Sequence, residues 1–256
     1  MTGNVILQAE GLKFTFPNAT KPVLNNVDLT ITQGKTLALV GRSGSGKSTL
    51  ARLLLRLAKP QTGSITFNNI DWLALQGKAL RHARAKMQMV FQDPLAAFNP
   101  YAHVGTLLEE PLRIHDIVPV DERKALIAQL LERVALDPAI ASRRVDEVSG
   151  GQRQRIAIAR AIATKPDLIV LDEAVASLDV SVRAHILDLL QEIQAQDQTS
   201  YLFITHDLAV AKKIAHHIAV IDDGTVVERG RADEILEHPR AAITKALIAA
   251  SPRLKR

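Results

Sequence analysis

Apolar and polar residues alternate through residues 27–31 (VDLTI), a period of two that predicts a half-buried strand ahead of a turn at Gln33-Gly34. Residues 36–40 (TLALV) form an unbroken, mostly apolar run that stops at Gly41, the pattern of a strand covered on both faces. Leu50, Leu53, Leu54 and Leu57 then recur at i, i+3, i+4 and i+7, which predicts one face of a helix, with Pro60 and Gly63 punctuating its end. From about Asp93 the character changes. Asp93-Pro94 and Asn99-Pro100 mark loops, and helical patterns follow up to Lys165-Pro166, with Leu126, Leu130, Leu131 and Val134 on one apolar face. Strand patterns resume at residues 168–171, 201–204 and 218–221. Asp223-Gly224, after the last of these, signals a tight hairpin, and residues 241–250 read as a short helix.

These patterns predict a single α/β domain over residues 1–256, with an N-terminal β region and a helical lobe inserted into the core. The core is expected to comprise residues 1–92 and 165–256, and the helical lobe residues 93–164. The length suffices for a sizeable core, and a composition of 47% hydrophobic and 23% charged residues is that of a globular chain. Without cysteine there is no disulfide, thiolate nucleophile or cysteine-held metal, and a reducing compartment is expected. The apolar start Val5-Ile6-Leu7 is short and lacks a basic flank, so no signal peptide is expected. No run approaches the roughly 18–20 apolar residues of a bilayer span; Arg52 and Arg56 interrupt the greasiest stretch, so any membrane role is expected to be peripheral. The net charge of +5 reads as a basic excess spread over the surface. Its densest cluster, Arg81, His82, Arg84 and Lys86, has no interleaved aromatic of the kind a single-strand binder needs, and no nucleic-acid partner is expected.

The sharpest chemistry lies between the run at 36–40 and the leucine helix. Gly41-Arg42-Ser43-Gly44-Ser45-Gly46-Lys47-Ser48, followed by Thr49, fits a phosphate-binding loop and has the strand before and helix after that such a loop requires. Glycines let the backbone wrap so that several N–H groups point at phosphate oxygens, and the helix N-terminus adds positive potential. Lys47 is expected to reach the β- and γ-phosphates, and the Ser48 hydroxyl to ligate Mg²⁺. Residues 168–171 end in Asp172 and Glu173. Asp172 is placed for the Mg²⁺ shell, and Glu173 could polarise a water for in-line attack. His206 ends another apolar run, where it can donate a hydrogen bond to developing charge. Ser149-Gly150-Gly151-Gln152 opens a helical run with Ile156, Ala159 and Ala163 on one face, so its amides form a second anion-seeking helix start. One phosphate loop plus a second such start implies two chains facing each other, each completing the other's nucleotide site.

GRSGSGKS, VFQDP, VSGGQRQR, LIVLDE, ASLD and ITHD follow one another in the order found in ABC-transporter ATPases, and the chain resembles that family over nearly its whole length. The resemblance implies the ABC ATPase fold, a P-loop NTPase core with an antiparallel β region and a helical subdomain. ATP and Mg²⁺ are the implied ligands. Phe16 is expected to stack on adenine, with Phe14 two residues away on the same predicted face. Gln92 is expected to contact Mg²⁺ and the γ-phosphate and to report on the membrane partner. Ser149, Gly150 and Gly151 would close over ATP bound to the opposite subunit, Asp179 would support that interface, Glu173 would be the base and His206 would hold the γ-phosphate. Two departures stand out. Val148 replaces the usual Leu, and Ala174-Val175 replaces the common Pro-Thr after the catalytic Glu.

QMVFQDPLAAFNP, LDVSVRAHILDLL, THDLAVAKKIA and the tail HPRAAITKALIAASP are similar to the oligopeptide, dipeptide and nickel import branch. DEAVASLD resembles nickel-type members more than peptide-type ones, so nickel or a metal chelate is the first expectation and peptides the alternative. No transition-metal site is assigned, because His216-His217 is the only adjacent pair among the eight histidines. Implied partners are transmembrane permease subunits, a second ATPase subunit (sister chain or self) and, indirectly, a substrate-binding protein. The implied place is the cytoplasmic face of the cell membrane. A different class, a non-transport ABC ATPase of carbon–phosphorus lyase or nucleic-acid type, is the second alternative. Only about 100 residues separate the glycine loop from SGGQ, with no sustained heptads to build a long coiled coil.

Overall fold

A computed structural model of the chain describes residues 4–17 and 19–251. The chain opens with β1 (Val5–Phe14), β2 (Leu24–Thr32), β3 (Thr36–Val40), α1 (Lys47–Leu54), β4 (Thr62–Phe67) and β5 (Ile70–Asp71). Next come α2 (Gly77–Arg84), β6 (Met87–Val90), α3 (Pro94–Ala97), α4 (Val104–Ile114), α5 (Val120–Arg133), α6 (Gly150–Ile162), β7 (Leu168–Asp172) and α7 (Val180–Asp197). It ends with β8 (Ser200–Thr205), α8 (Leu208–Ile214), β9 (His217–Asp222), β10 (Thr225–Arg231), α9 (Ala232–Glu237) and α10 (Ala242–Ala249). Residues 1–75 with 194–256 form one compact unit and residues 76–193 another. Pro252 of the tail quoted above lies outside the described residues. Among the described residues no helix is long and apolar enough to cross a membrane.

In the first unit, β2, β1, β4 and β5 lie side by side in that order, and β1 pairs antiparallel with β2 and β4. Alternation in β2 buries Val27, Leu29 and Ile31 and leaves the intervening Asp28 exposed, as a period of two demands. β3 runs parallel to β8 on one side and β9 on the other, and β10 returns antiparallel to β9. β3 and β8 are buried along their whole length, which explains why they read as runs and not as alternations. Ala38, Val40, Ile218 and Val220 pack with Leu208, Ala211, Ala232 and Ile235 of the covering helices. Each fully buried Leu, Ile or Val contributes about 1.5–3 kcal/mol by leaving water. The hairpin expected at Asp223-Gly224 joins β9 to β10, and both residues have positive φ, 43° and 73°.

The second unit pairs β6 parallel to β7 and packs α3 to α6 about an apolar centre. Ile127, Leu130 and Leu131 bury the inner face of α5, and Val134 follows at its end; Leu126 is only half-buried, so Ile127 takes the central position expected of it. Ile156, Ala159 and Ala163 are buried as their spacing requires.

The leucine helix ends earlier than its periodicity predicts. α1 stops at Leu54 and Leu57 is 59% exposed. The cause is a Schellman turn, in which Leu57 N donates to Arg52 O (2.8 Å) and Arg56 N to Leu53 O (3.0 Å), with Arg56 at φ 53° in the place usually held by glycine. The Arg56 guanidinium offsets that backbone cost by donating to the carbonyls of Trp72 (2.9 Å) and Leu75.

Candidate functional site

The glycine loop leaves β3 at Gly41 and enters α1 at Lys47. Its turn is closed by Ser45 N donating to Arg42 O (3.2 Å) and by Leu50 N donating to Gly46 O (2.9 Å). Gly44 and Ser43 are exposed at the crest, Thr49 is half-buried and Ser48 is exposed in the first helical turn. Gly46, the N-cap of α1, sits at φ 104°, and a Cβ there would lie 2.8 Å from Leu24 Cδ2 and 3.0 Å from Val23 O. Only glycine meets both demands. Gly46→Ala is therefore expected to cost about 1–3 kcal/mol from the backbone alone, read as a lowered denaturant midpoint.

Lys47 is buried, and its ammonium donates to the carbonyls of Gly41 (2.9 Å) and Arg42 (2.8 Å). The Ser45 hydroxyl is buried and has no hydrogen-bond partner among the described residues. A polar group shut away from water with nothing to bond costs about 1–3 kcal/mol, unless a ligand supplies the partner. A fixed cation, an unpaired hydroxyl and a helix N-terminus thus converge on one loop, and all three favour an oxyanion.

Strand register brings other residues of the first unit to the same edge. Val40 pairs with Thr205 of β8, so His206 leaves the sheet beside Gly41. His206 is exposed, and behind it the Asp207 side chain caps α8 by accepting from Ala209 N (2.9 Å) and Val210 N (3.4 Å). Val40 pairs also with Val220 of β9, and Gly224 N donates to Ser45 O (3.2 Å), tying the β9–β10 hairpin to the loop. Phe16 follows β1 and is 42% exposed; Phe14 is half-buried and meets it edge to face, with centroids 5.1 Å apart. The exposed ring is Phe16, the residue expected to stack on a base, with Phe14 as its support.

In the second unit, Val90 of β6 pairs with Leu171 of β7, so Gln92 and the pair Asp172-Glu173 leave at one edge. Gln92 is exposed, whereas Asp172 and Glu173 are half-buried. Glu173 has φ 48°, a left-handed conformation that a non-glycine residue adopts at a cost of about 1–3 kcal/mol. Ala174 and Val175, the residues that depart from Pro-Thr, are both 2% exposed and serve as packing.

Ser149 N-caps α6 through a reciprocal pair. Gln152 N donates to Ser149 Oγ (3.3 Å), and Ser149 N donates to Gln152 Oε1 (2.9 Å). The amides of Gly150 and Gly151 precede Arg153 N, the first intrahelical donor, and have no partner among the described residues. Asp179 stands at the head of α7, where Val182 N (2.9 Å) and Ser181 Oγ (2.7 Å) donate to its carboxylate and hold it below the usual carboxylate range. Sequence reasoning missed the braces behind this turn. Arg153 donates to the carbonyls of Val145 (3.1 Å) and Asp146 (3.3 Å), and Arg155 to that of Val134 (2.7 Å). The run of arginines in GGQRQR was the available signal.

Comparison with known proteins bears on this arrangement. The profile of the ABC transporter family matches residues 24–176. A probable peptide ABC transporter ATP-binding protein, y4tS of Sinorhizobium fredii, is 45% identical over 90% of this chain, and the aligned part is 65% of that relative. The glutathione import ATP-binding protein GsiA of Salmonella typhimurium is 44% identical over 98% of this chain and 42% of its own length. The chain thus spans only part of each of these two relatives. Among solved structures, cbiO1 from Clostridium perfringens, part of the ABC transporter complex cbiONQ, superposes with a TM-score of 0.82 at 27% identity, over 92% of both chains. The cassette MJ0796, as a post-hydrolysis dimer bound to ADP and Pi, gives 0.79 at 29% identity over 88% of this chain and 98% of its own. A phosphate-seeking loop at a strand end, a capped SGGQ helix and a family profile across most of the chain agree, and the protein belongs to the ABC transporter family as an ATP-binding cassette.

Proposed function

We propose that this chain is the ATP-hydrolysing subunit of an ABC importer, acting in a dimer of cassettes beneath membrane-spanning permease subunits on the cytoplasmic face of the cell membrane. The observation that carries the reading is a buried Lys47 ammonium, and a buried Ser45 hydroxyl with no partner among the described residues, in one loop that opens a helix. ATP is the ligand that fits. Loop amides and Lys47 hold its β- and γ-phosphates, Phe16 stacks on adenine and His206 donates to the γ-phosphate. Ser48, Asp172 and Gln92 offer the hard oxygen donors that suit Mg²⁺, which when bound would neutralise charge on the phosphates. Glu173 takes a proton from the attacking water as the bond from the γ-phosphorus to the bridging oxygen breaks, and ADP and phosphate leave.

The facing cassette supplies its Ser149-Gly151 turn to the same triphosphate, with Asp179 lining the contact. ATP moves the open–closed equilibrium only through contacts made in the closed pair, and the unpaired amides of Gly150 and Gly151 are such contacts. MJ0796 forming a dimer is consistent with this arrangement. We assign the helical subdomain of the family to residues 93–164.

Peptides are the proposed cargo class, because y4tS is named for a probable peptide ABC transporter and GsiA for glutathione import. The nickel expectation drawn from DEAVASLD has no counterpart in the names of those two relatives. The complex purified with its membrane partner tests both levels. A di- or oligopeptide with its binding protein is expected to raise ATP turnover. Stimulation by a nickel chelate alone would reassign the cargo, and copurification with nucleic acid or ribosomes in place of a multispanning protein would overturn transport.

A further inference from the structure

The two glycines of the SGGQ turn are not equivalent. A Cβ on Gly150 would meet nothing within 4 Å, whereas one on Gly151 would lie 2.9 Å from Val182 Cγ1 and 3.8 Å from Val182 Cγ2. The obstacle cannot swing aside. Valine in a helix is nearly confined to one χ1 rotamer, so its methyls move only with the backbone. That backbone is pinned, since Val182 N donates to Asp179 Oδ1 (2.9 Å), Arg183 N to Asp179 O (2.9 Å) and the Arg183 guanidinium to Leu178 O (3.0 Å). On the other side, the Ser149–Gln152 cap and the Arg153 contacts fix the start of α6.

We propose that Val182 is a positioning residue for the cap over ATP. Its methyl is the stop against which Gly151 rests, so the Asp179-capped first turn of α7 sets where the free amides of Gly150 and Gly151 stand. Asp179 then acts within its own chain as well as at the interface, by holding Val182 in place. The functional half of this inference rests on the reading of the SGGQ turn as the cap on the facing subunit's ATP.

The test compares Gly151→Ala, Val182→Ala, Val182→Thr and the double variant Gly151→Ala/Val182→Ala in the assembled complex. Thermal unfolding reports on the contact irrespective of nucleotide chemistry; Gly151→Ala is expected to lower the midpoint and the double variant to regain most of the loss. Turnover reports on positioning. A misplacement on the order of 1 Å costs up to about 10²-fold, so Gly151→Ala is expected to lower kcat by about that factor with KM for ATP little changed. The double variant is expected to recover most of kcat. Val182→Ala alone should lower kcat, and Val182→Thr, which keeps a branched Cβ and one methyl, should restore it. A double variant no more stable and no more active than Gly151→Ala would overturn the contact. Rescued stability with kcat unmoved in every variant would overturn the positioning role. An unaltered complex that hydrolyses no ATP would instead strike at the function proposed above and leave the contact standing.

Discussion

Glu173→Gln is expected to lower steady-state ATP turnover by about 10²- to 10⁴-fold while ATP binding at equilibrium stays near that of the unaltered chain. That factor corresponds to roughly 2.7–5.5 kcal/mol of barrier, the amount a positioned general base supplies. Glutamine keeps the length and shape of the side chain but accepts no proton at neutral pH. It also leaves untouched the backbone at φ 48°, so the loss is not attributable to a rebuilt turn. Single-turnover kinetics beside equilibrium titration separates the two quantities. Near-normal turnover would remove Glu173 from the role of base.

Lys47→Ala should act on the other quantity. Hydrogen bonds to a charged group contribute about 1.5–3 kcal/mol, so loss of the ammonium is expected to raise the ATP dissociation constant by roughly one to two orders of magnitude. The same change strips the Gly41 and Arg42 carbonyls of the donor they now share. A fall in thermal midpoint without ATP measures that structural part, and the shift of the ATP titration beyond it measures phosphate recognition. Binding of ATP at unaltered affinity would show that Lys47 serves only to close the loop. The two substitutions therefore dissociate, one leaving a chain that binds and does not turn over, the other a chain that binds poorly.

Much of the fold was legible where burial leaves a simple trace. β3, β7, β8 and β9 carry unbroken apolar runs because both their faces are covered, and each expected segment fell on its strand. Asp223-Gly224 was readable because two successive positive φ angles suit few residue pairs. α2 was not foreseen as a helix, since it buries no residue and so shows no apolar stripe; what the sequence displayed there was only the Arg81–His82–Arg84 charge, gathered in its last turn where the helix dipole favours it. The end of α1 escaped for a related reason, because Arg56 stands where a glycine would have announced the stop.

The candidate site residues stood out in the sequence as motifs, and the contacts that hold them did not. A glycine loop or a capped SGGQ start is a local pattern with a local cause. The contact of Gly151 with Val182 joins residues far apart in sequence, and neither residue hints at the other. Likewise Phe14 and Phe16 are both aromatic and two apart, so only their exposures, half-buried against 42%, tell them apart.

The most direct measurement is a structure of the Glu173→Gln form with ATP and Mg²⁺ bound, in complex with its facing cassette. The distance to determine runs from the Gly150 amide of this chain to the γ-phosphate held by the neighbour. A hydrogen-bond separation of about 2.7–3.2 Å is the expected result. A terminal phosphate touched by one cassette alone, with Gly150 out of reach, would contradict the account.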